Sequence, residues 1–489
     1  MMHRFWIVLM IIAHGVTQAA SGQPCPGADL IATSNAPVSC ELDQAFALDL
    51  DGDGIDEVAL VSSTSTLLYL FRADGAGGLE PPQVLDLGVG VVQVTSGDFD
   101  EDGVSELLCG TNGPLVIRAT ADSSGVYSAT QTFDTGSQQA VVSVGDLTGD
   151  GHLDFVVAAL GGASSAVRLY SGDGLGGFAA PVELLPGSSA NQVEISDIDS
   201  DGLYDLVVGV PAYLGGTPSL AVYLSLPSGG LAAPTVVTNQ YDSGFVTGDV
   251  NSDGFVDFAV KQPQLTAACG GPIGVYLGSP AGSFTLGQSF AAGCGPFSPR
   301  IEDMNADGHD DLIYAYRSAP FDSTTTLEIA FGDGTGVLAT PCAPLATPWP
   351  MSRFAVGEWN GDLYRDVVAP PGCTVGFPSP PGITGSLTVF LSRSPIPFER
   401  GDCNDDGLVN IADAVWLLAL LFPLGPTTTA ACAAACDGND DDAVNIADAI
   451  TILNTLFIAS TPPLPAPSGQ CATDRTPGAT HCSVSLQCP

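Results

Sequence analysis

A nine-residue segment rich in aspartate and glycine recurs along this chain at a spacing of roughly 50 residues. The first copy, from Asp49 to Glu57, reads Asp-Leu-Asp-Gly-Asp-Gly-Ile-Asp-Glu, and further copies begin at residues 98, 146, 197, 249, 303 and 358. Repeats of this period are typical of propellers and related arrays, in which every repeat forms one structural unit. The chain is therefore expected to fold as a set of equivalent units.

Each copy has oxygen-bearing side chains at positions 1, 3, 5 and 9, and the first six copies have glycine at position 6. Calcium takes six to eight oxygen ligands, and a tight loop can turn alternate side chains onto one ion while the carbonyl of position 7 adds another. The glycine permits the sharp bend that such a loop needs. Turn propensity explains aspartate and glycine in loops, but it does not repeat carboxylates at the same offsets.

We therefore predict that the first six copies bind calcium. In the seventh copy, Glu358 to Asp366, Leu363 replaces the glycine, so its calcium binding is left open. The predicted ligands, with position 7 acting through its carbonyl, are Asp49, Asp51, Asp53, Ile55, Glu57, Asp98, Asp100, Asp102, Val104, Glu106, Asp146, Thr148, Asp150, His152, Asp154, Asp197, Asp199, Asp201, Leu203, Asp205, Asp249, Asn251, Asp253, Phe255, Asp257, Asp303, Asn305, Asp307, His309 and Asp311.

The formal net charge is −42, from 54 acidic and 12 basic residues, and Lys261 is the single lysine. Such a surface repels nucleic acid and acidic membranes, so neither is an expected partner. An apolar content of 45% argues against disorder as the meaning of the charge. Many of the carboxylates crowd into the loops, where they would repel one another without cations, which is a second argument for bound metal.

The first residues predict export. Arg4 precedes an apolar run from Phe5 to Ala13, and small residues follow around Ala19 to Gly22. This pattern is typical of a secretory signal peptide, and the apolar run is too short to span a membrane. A signal-anchor is the alternative interpretation. We predict a mature chain without a membrane span that is secreted, extracellular or attached to the cell surface.

The 13 cysteines, all beyond the predicted signal peptide, indicate an oxidising compartment. Their order favours local pairs, and Cys109, within an apolar strand, is predicted to be unpaired. The favoured pairs are Cys25 with Cys40, Cys269 with Cys294, and Cys342 with Cys373. The last six cysteines could close three bridges with open connectivity; they are Cys403, Cys432, Cys436, Cys471, Cys482 and Cys488.

Strand patterns surround every acidic loop. A β-branched apolar run follows each loop, as in Phe155 to Ala158, and a second alternating run comes after it, as in Val167 to Tyr170. A glycine-rich turn and a short extended segment complete the repeat, and a strand also precedes each loop. Four short strands per repeat describe a propeller blade, so seven copies predict a mainly β, seven-bladed propeller. The seventh copy lacks an outer strand, which Asp29 to Thr33 is predicted to supply.

With its loop between the first and second strands, this repeat resembles the FG-GAP (VCBS-type) repeats of integrin-α-like propellers, over about residues 40–395. The resemblance implies calcium loops on one rim that support the blades, and partner binding through other loops. Glu57 and Glu106 depart from the aspartate of the family at position 9, and each lengthens one ligand arm.

A different calcium loop follows the propeller. Residues 402–413 place oxygens at positions 1, 3, 5, 9 and 12 with glycine at position 6, which is EF-hand-loop spacing with aspartate in place of the final glutamate. An apolar helix follows, and the unit recurs 35 residues later with Asp442 at the glycine position. The predicted ligands are Asp402, Asn404, Asp406, Leu408, Asn410, Asp413, Asp437, Asn439, Asp441, Ala443, Asn445 and Asp448.

Paired loop-helix units that end in aspartate resemble a bacterial type I dockerin, which implies docking onto a cohesin-bearing scaffold. Ile411-Ala412 and Ile446-Ala447 occupy positions that usually carry hydroxyl residues in that family, so a calcium-stabilised cap on the chain's own propeller is an equal alternative. Helical spacing predicts that two apolar stripes bury against each other. The stripes are Val415, Leu418 and Phe422, and Ile450, Leu453 and Phe457.

These features divide the chain into a signal peptide (1–22), a propeller (23–391), a linker (392–400), a small helical dockerin-like calcium-binding module (401–460) and a Pro/Cys-rich tail (461–489).

The histidines beyond the signal peptide are His152, His309 and His481, and the first two lie in metal loops. Ser-His-Asp triads and zinc sites therefore lack the histidines that they need. Carboxylate pairs are abundant, which leaves glycosidase or lyase chemistry open. We predict a non-enzymatic, secreted calcium-binding protein that acts in adhesion or in binding an extracellular protein or polysaccharide; the alternative is a carbohydrate-active propeller, lyase, hydrolase or lectin, delivered to an extracellular polysaccharide-degrading complex.

Overall fold

The computed structural model describes residues 30–39, 42–74, 77–161, 165–211, 217–263, 271–280, 282–290, 294–317, 324–347, 353–360, 364–370, 384–392, 399–404, 406–422, 433–439, 444–458, 462–465 and 468–469. Within these ranges the chain forms seven four-stranded antiparallel sheets followed by short helices. The prediction of a mainly β, seven-bladed propeller is therefore confirmed.

We number the blades one to seven in chain order, and each sheet is given from its innermost strand outwards. The strands are β2 (Gln44–Leu48), β3 (Glu57–Val61), β4 (Leu67–Phe71) and β5 (Gln83–Asp86); β6 (Val91–Gly97), β7 (Glu106–Thr111), β8 (Leu115–Ala121) and β9 (Tyr127–Asp134); β10 (Gln139–Gly145), β11 (Asp154–Leu160), β12 (Ala166–Tyr170) and β13 (Val182–Pro186); β14 (Gln192–Ser196), β15 (Asp205–Val210), β16 (Ser219–Tyr223) and β17 (Thr235–Thr238); β18 (Phe245–Gly248), β19 (Asp257–Lys261), β20 (Ile273–Leu277) and β21 (Thr285–Phe290); β22 (Cys294–Glu302), β23 (Asp311–Arg317), β24 (Thr325–Ala330) and β25 (Cys342–Thr347); and β26 (Ala355–Gly357), β27 (Asp366–Ala369), β28 (Thr384–Leu391) and β1 (Ile31–Ser39).

The apolar content is packed between the blades. Every residue of β3, β7 and β11 is buried, because a second strand is covered by the neighbouring blade on both faces of its sheet. Between blades two and three the core is aromatic: Phe155 stacks on Tyr170 with ring centroids 4.5 Å apart, and Phe99, Phe133 and Phe178 pack around this pair. Outer strands such as β13 are largely exposed, which matches their mixed sequence.

The ring closes by exchange of strands between its two ends. Strand β1 pairs antiparallel with β28, whereas β28 and β27 complete the same sheet with β26. The innermost strands β2 and β26 are in contact, so the first and last blades are neighbours. The predicted closing segment is confirmed from Ile31 onwards, while Asp29 lies outside the described residues. Closure removes the unpaired edge that an open ring would expose.

Side-chain amides join neighbouring blades. Gln192 donates to the carbonyl of Phe245 at 2.8 Å and accepts from the amide of the same residue at 3.1 Å. Gln83 makes the same pair of bonds to Tyr127 in the next blade. Such amides replace a backbone partner where a strand has no sheet neighbour, and they hold adjacent blades in register.

The described residues after the propeller form three helices, α1 (Ile411–Leu421), α2 (Ala433–Cys436) and α3 (Ile446–Phe457). Helices α1 and α3 pack together, and a disulfide joins Cys403 to Cys436. None of the helices in the described ranges has the length and apolar character needed to cross a membrane.

The predicted packing of the helical stripes is wrong. Val415, Phe422, Ile450 and Phe457 are exposed, and Leu418 and Leu453 are only partly buried. The buried residues of the helices are instead Ala414, Leu417, Ala449 and Ile452. The loops cause this rotation: Asp413 and Asp448 are buried beneath their own loops, which turns the following alanine inward and the predicted stripe outward.

The cysteine predictions are resolved in part. Cys109 is free and buried, as predicted. The Cys403–Cys436 disulfide supplies one connection among the last six cysteines. Each of the three favoured local pairs includes a cysteine outside the described ranges, and these pairs stay predictions.

Closure of the ring makes a testable prediction. Val38 of β1 is 2% exposed and packs against Leu387 and Val389 of β28. Val38→Ala should lower the free energy of unfolding by about 2 kcal/mol, because it leaves a cavity in the closing blade. The matched control is Val182→Ala on β13, where valine is 56% exposed and the change should stay within about 0.5 kcal/mol. Equal stability of the two variants in denaturant unfolding would contradict the closure.

Candidate metal centres in the propeller loops

The aspartate at position 1 folds each of the first six acidic loops around itself. In the second loop Asp98 accepts from the amides of Asp102 at 3.1 Å and Gly103 at 2.9 Å, and Asp102 accepts from the amide of Val104 at 2.9 Å. The same bonds to positions 6 and 7 recur in the other five loops. These turns place the side chains of positions 1, 3 and 5 on one side of the loop.

Position 6 requires glycine. The six glycines there have φ values from 82° to 91°, a left-handed conformation that a Cβ would strain. Position 4 is left-handed as well, at φ 58° for Glu101 and 57° for Ser200, although these loops carry a side chain there. Two left-handed residues within three positions wind the loop tightly enough for alternate side chains to converge.

The carboxylate at position 9 has a structural role that the sequence interpretation missed. Asp205 begins β15 and is 1% exposed, and its two oxygens accept from the amides of Ile198 at 3.0 Å and Ser225 at 2.7 Å. It therefore ties the start of the loop to the turn after β16. Asp257, Asp311 and Asp366 make equivalent pairs of bonds. Asp154 differs in that it accepts from the amide of position 3, Thr148, together with that of Gly172. The signal for this role was present, since position 9 is also the first residue of a buried strand.

Burial raises the pKa of these position-9 carboxyls. The pKa rises to about 7 for Glu57, about 6 for Asp205 and Asp257, and about 8 for Asp311. Desolvation is the main cause, backbone N–H donors oppose it, and the loop's other carboxylates add to it by repulsion. A cation in the loop would reverse the repulsive part of this effect.

Three loops bring their carboxylates together closely enough to share an ion. Ligand oxygens lie within 4.8 Å of one another in the groups Asp49, Asp51 and Asp53; Asp98, Asp100 and Glu106; and Asp197, Asp199 and Asp205. In the fifth and sixth loops an asparagine takes position 3, and its amide donates to the position-5 carboxylate, as Asn251 does to Asp253 at 2.9 Å. The third loop has Thr148 there.

The second and fourth loops each hold a buried carboxylate oxygen without a hydrogen-bond partner, Oδ1 of Asp100 and Oδ1 of Asp199. A buried carboxylate oxygen that lacks a partner is costly, so its position next to two further carboxylates fits a bound cation. The donor set consists of carboxylate, amide, hydroxyl and carbonyl oxygens, which are the ligands that calcium takes. The residues present therefore fit the predicted ion.

The second loop differs from the fourth because an arginine reaches it. Arg118 Nη2 lies 2.9 Å from Oε1 of Glu106 and 3.9 Å from Oδ2 of Asp100. This guanidinium lowers the pKa of Glu106 against the larger, opposite effect of burial. Part of the positive charge that this loop needs thus comes from the chain itself, which sequence reasoning did not anticipate.

The backbone N–H of each position-7 residue donates to the position-5 carboxylate, and the two histidines at this position link neighbouring loops through their side chains. Nδ1 of His152 lies 2.7 Å from Oε1 of Glu101 in the preceding blade, and this contact raises the pKa of His152. Nδ1 of His309 lies 3.0 Å from Oγ of Ser252. Both imidazoles thus contact a side chain of the preceding blade, and the carbonyl role of position 7 stays a prediction.

In its described residues the seventh copy keeps the position-9 contacts of the other loops. Asp366 accepts from the amides of Trp359 at 3.2 Å and Ser392 at 2.7 Å, as its counterparts do. Glu358 is 5% exposed and accepts from the amide of Asn360. Residues 361–363, which contain position 5 and the substituted glycine, lie outside the described ranges, so an ion in this copy stays open.

The first loop of the helical module repeats the propeller-loop geometry. Asp402 accepts from the amides of Asp406 at 3.0 Å and Gly407 at 2.8 Å, and Asp413 accepts from those of Asn404 and Asn410. In the second loop Asp448 makes the corresponding bonds to Asn439 and Asn445. The predicted ligands Asp441 and Ala443 lie outside the described residues. Arg400 is fully buried and donates to the carbonyl of Asp437 at 2.6 Å, which joins the two loops.

A family model described as an FG-GAP-like repeat matches residues 49–109 and 146–208. Integrin alpha-IIb of Mus musculus is 28% identical over 261 residues, which cover 46% of this chain and 25% of that protein. Integrin alpha-V of Gallus gallus is 26% identical over 243 residues, covering 44% of this chain and 24% of its own length. The match therefore spans about a quarter of each of these relatives.

Among solved structures, one of BBS1N in complex with ARL6DN, soaked with lead, aligns with a TM-score of 0.50 and 12% identity, and the alignment covers 75% of this chain and 98% of that one. At this identity the likeness shows the fold alone. The chain is thus a seven-bladed β-propeller with FG-GAP-like repeats, and its repeats are similar in sequence to those of integrin alpha subunits.

Proposed function

We propose that this protein is a secreted, calcium-binding propeller that acts in extracellular adhesion or ligand binding. The observation that carries the proposal is the pair of buried, unpartnered oxygens of Asp100 and Asp199, each beside two other carboxylates. Similarity of the repeats to those of integrin alpha subunits supports an extracellular binding role. The predicted signal peptide and the disulfide between Cys403 and Cys436 agree with export to an oxidising compartment.

Calcium in this proposal has a structural task. The side chains of positions 1, 3 and 5 and the carbonyl of position 7 would hold the ion, with one oxygen of position 9 shared between the ion and a backbone amide. Each loop connects the innermost strand of a blade to the second strand, so an ordered loop fixes the spacing of the strands that form the rim. The carbohydrate-active alternative stays a prediction. Most of the described loop carboxylates accept hydrogen bonds from their own loops, which favours a structural task for them over catalysis.

The helical module is proposed to dock the propeller onto a scaffold. Its exposed apolar residues recur at the 35-residue spacing of the two units; they are Ile411 and Val415 on α1 with Phe422 directly after it, and Ile446, Ile450 and Phe457 on α3. Contiguous exposed apolar side chains usually mark a contact surface. A cohesin-type scaffold is the partner that the dockerin resemblance implies, and a cap on the chain's own propeller is the alternative.

Calcium should stabilise the fold through identifiable residues. Binding to the native state alone adds about 2.7 kcal/mol per site at a hundredfold excess over Kd. Asp199→Ala should reduce the calcium-induced rise in melting temperature, and Asp199→Asn should retain more of it, because asparagine occupies the same position in the fifth and sixth loops. Glu80→Gln, at an exposed carboxylate outside the loops, is the control. Superimposed melts of the wild-type protein in calcium and in chelator would contradict the proposal.

Stability without calcium should fall as pH rises. The pKa of Glu57, Asp205, Asp257 and Asp311 is raised to between about 6 and about 8 in the folded protein. A raised folded pKa contributes stability that is present below the unfolded pKa, about 4, and is lost as pH rises through the folded value. Melting temperature in chelator should therefore decline between pH 5 and pH 8.5.

In saturating calcium the melting temperature should fall less as pH rises, because ion binding requires the ionised carboxylates. The difference between the calcium and chelator melting temperatures should widen steadily with pH. A melting temperature in chelator that rises across this pH range would contradict the burial of position 9 in the metal-free protein.

Docking and capping predict different effects of one double variant. Val415→Glu with Ile450→Glu places charge on the exposed face of both helices, at residues that are 58% and 51% exposed. If the face docks, capture of a cohesin-bearing scaffold should be lost while the calcium-dependent melt of the propeller is unchanged. The matched control is Val182→Glu with Val236→Glu, at outer-strand residues of the propeller that are 56% and 48% exposed. Retained capture with an earlier propeller melt would instead support the cap.

A further inference from the structure

A cavity of about 330 Å³ lies on the propeller axis, at the end where the innermost strands begin. Its walls come from the starts of β6, β10, β14 and β18, from β22, and from Arg353 just ahead of β26. The acidic loops follow the other ends of the innermost strands. The cavity and the calcium loops therefore lie at opposite ends of these strands.

The charged lining of the cavity is wholly basic. Lys261, Arg300 and Arg353 line it, whereas no aspartate or glutamate is among the described lining residues. The chain has only 12 basic residues against 54 acidic ones, so the convergence of three of them on one cavity is a strong local departure from its composition. Gln93 and Gln139 add amide groups to the same wall. The side-chain oxygen of Gln93 already accepts from the amide of Val142 at 2.9 Å, so Gln93 offers its NH2 group to a ligand.

Lys261 has a carboxylate within ion-pair distance, whereas the two arginines have none among the described residues. Nζ of Lys261 lies 3.2 Å from Oδ2 of Asp242 and donates to Oγ of Ser243 at 2.8 Å. Neither Arg300 nor Arg353 forms an ion pair with any residue in the described part of the chain. Charges removed from water are normally paired, and neither guanidinium group has a carboxylate partner at the cavity. Nη1 of Arg300 donates to the neutral carbonyl of Pro299 at 3.0 Å, so a counter-charge is still favourable there.

Arg353 is held in place without its charge being matched. Its guanidinium carbon lies 4.3 Å from the ring centroid of Phe46, and its Nε is buried with no hydrogen-bond partner. Its carbonyl accepts from the amide of Ala45, so the residue sits at the junction of the first and last blades. Burial lowers the pKa of Arg353 to about 9, and the charge of Arg300 acts in the same direction.

Arg300 reaches the cavity through an irregular strand. The pairing of β22 with β23 shifts register between Phe297 and Arg300, and Ser298 is left-handed at φ 45°. Bulges of this kind re-aim side chains. Burial lowers the pKa of Arg300, while the carboxylates of Glu302 and Glu194 raise it.

Both of these acids have partners elsewhere. Glu302 lies 3.6 Å from Nε of Arg365, and Glu194 accepts from the hydroxyl of Thr247. Neither carboxylate lines the cavity. These carboxylates offset part of the charge of Arg300 from outside the cavity, while Arg353 has no carboxylate partner among the described residues. The cavity wall therefore keeps a positive charge that an anionic ligand can match.

We propose that this cavity binds a sugar acid, with its carboxylate held by Arg300 and Arg353 and its hydroxyls facing the amides of Gln93 and Gln139. Guanidinium forks match carboxylate oxygens, and a primary amide both donates to and accepts from hydroxyls. The volume corresponds to roughly ten water molecules, which suits one sugar unit. This assignment rests on the proposed binding role and names the class of its ligand.

Titration of the full-length protein in saturating calcium tests the ligand class directly. Galacturonate should bind saturably, and galactose, which has the same hydroxyls except at the carboxylate carbon, should bind at least tenfold more weakly. Binding of sodium sulfate without binding of galacturonate would mean an adventitious ion only and would overturn the proposal. Equal binding of galactose, or no binding of either sugar, would overturn it as well.

Charge removal at the cavity offers a matched comparison. Arg300→Gln and Arg353→Gln should each weaken galacturonate binding at least tenfold, whereas Lys261→Gln should weaken it less than threefold because that charge is already paired. Equal losses in all three variants would overturn the assignment. If Arg353→Gln does not melt like the wild-type protein in calcium, its fold is altered and its binding is not interpretable. The comparison of Arg300→Gln with Lys261→Gln, together with the wild-type titration, then tests the proposal.

The two proposals fail separately. The calcium-dependent melt reports on the loops at the far end of the innermost strands, and galacturonate binding reports on the cavity. A melt that does not respond to calcium, with galacturonate binding intact, would contradict calcium binding alone. A responsive melt without galacturonate binding would contradict the cavity assignment alone.

Discussion

The buried carboxylate at position 9 of each acidic loop is the interaction on which the propeller depends. Asp311 is fully buried, and its two oxygens accept from the amides of Met304 and Gly332 at 2.9 and 2.8 Å. One side chain thus joins the loop, the second strand and the turn that follows the third strand. A buried acid of this kind stabilises only when both oxygens are satisfied, which is why the surrounding loop has the same backbone geometry in every complete copy.

Charge is distributed unevenly between the two ends of the innermost strands. The loops gather carboxylates at one end of the innermost strands, where the oxygens of Asp100 and Asp199 lack partners. At the other end, Arg300 and Arg353 converge on the axial cavity, and no acid is among its described lining residues. The two ends therefore attract ions of opposite sign. The net charge of −42 hides this difference, because the loops are acidic and the charged lining of the cavity is basic.

Much of this fold could be predicted from sequence because each repeat marks where its loop lies and where the strands on either side begin and end. The period, the glycine at position 6 and the strands on either side of each loop led to seven blades, and the missing outer strand led to closure by the N-terminal segment. The helix stripes were wrong because periodicity alone does not say which face a buried Asp413 turns inward. The contact of Arg118 with Glu106 and the cavity arginines join residues from distant parts of the chain, and no local pattern could reveal them.

A count of bound calcium tests the account most directly. Elemental analysis of the protein, equilibrated with calcium at pH 8 and freed of excess ion, would measure the number of ions per chain. The account predicts about six ions in the propeller loops, with more from the helical module, and a much smaller number at pH 5, where the raised position-9 pKa values favour protonation. Fewer than one ion per chain at pH 8 would contradict it.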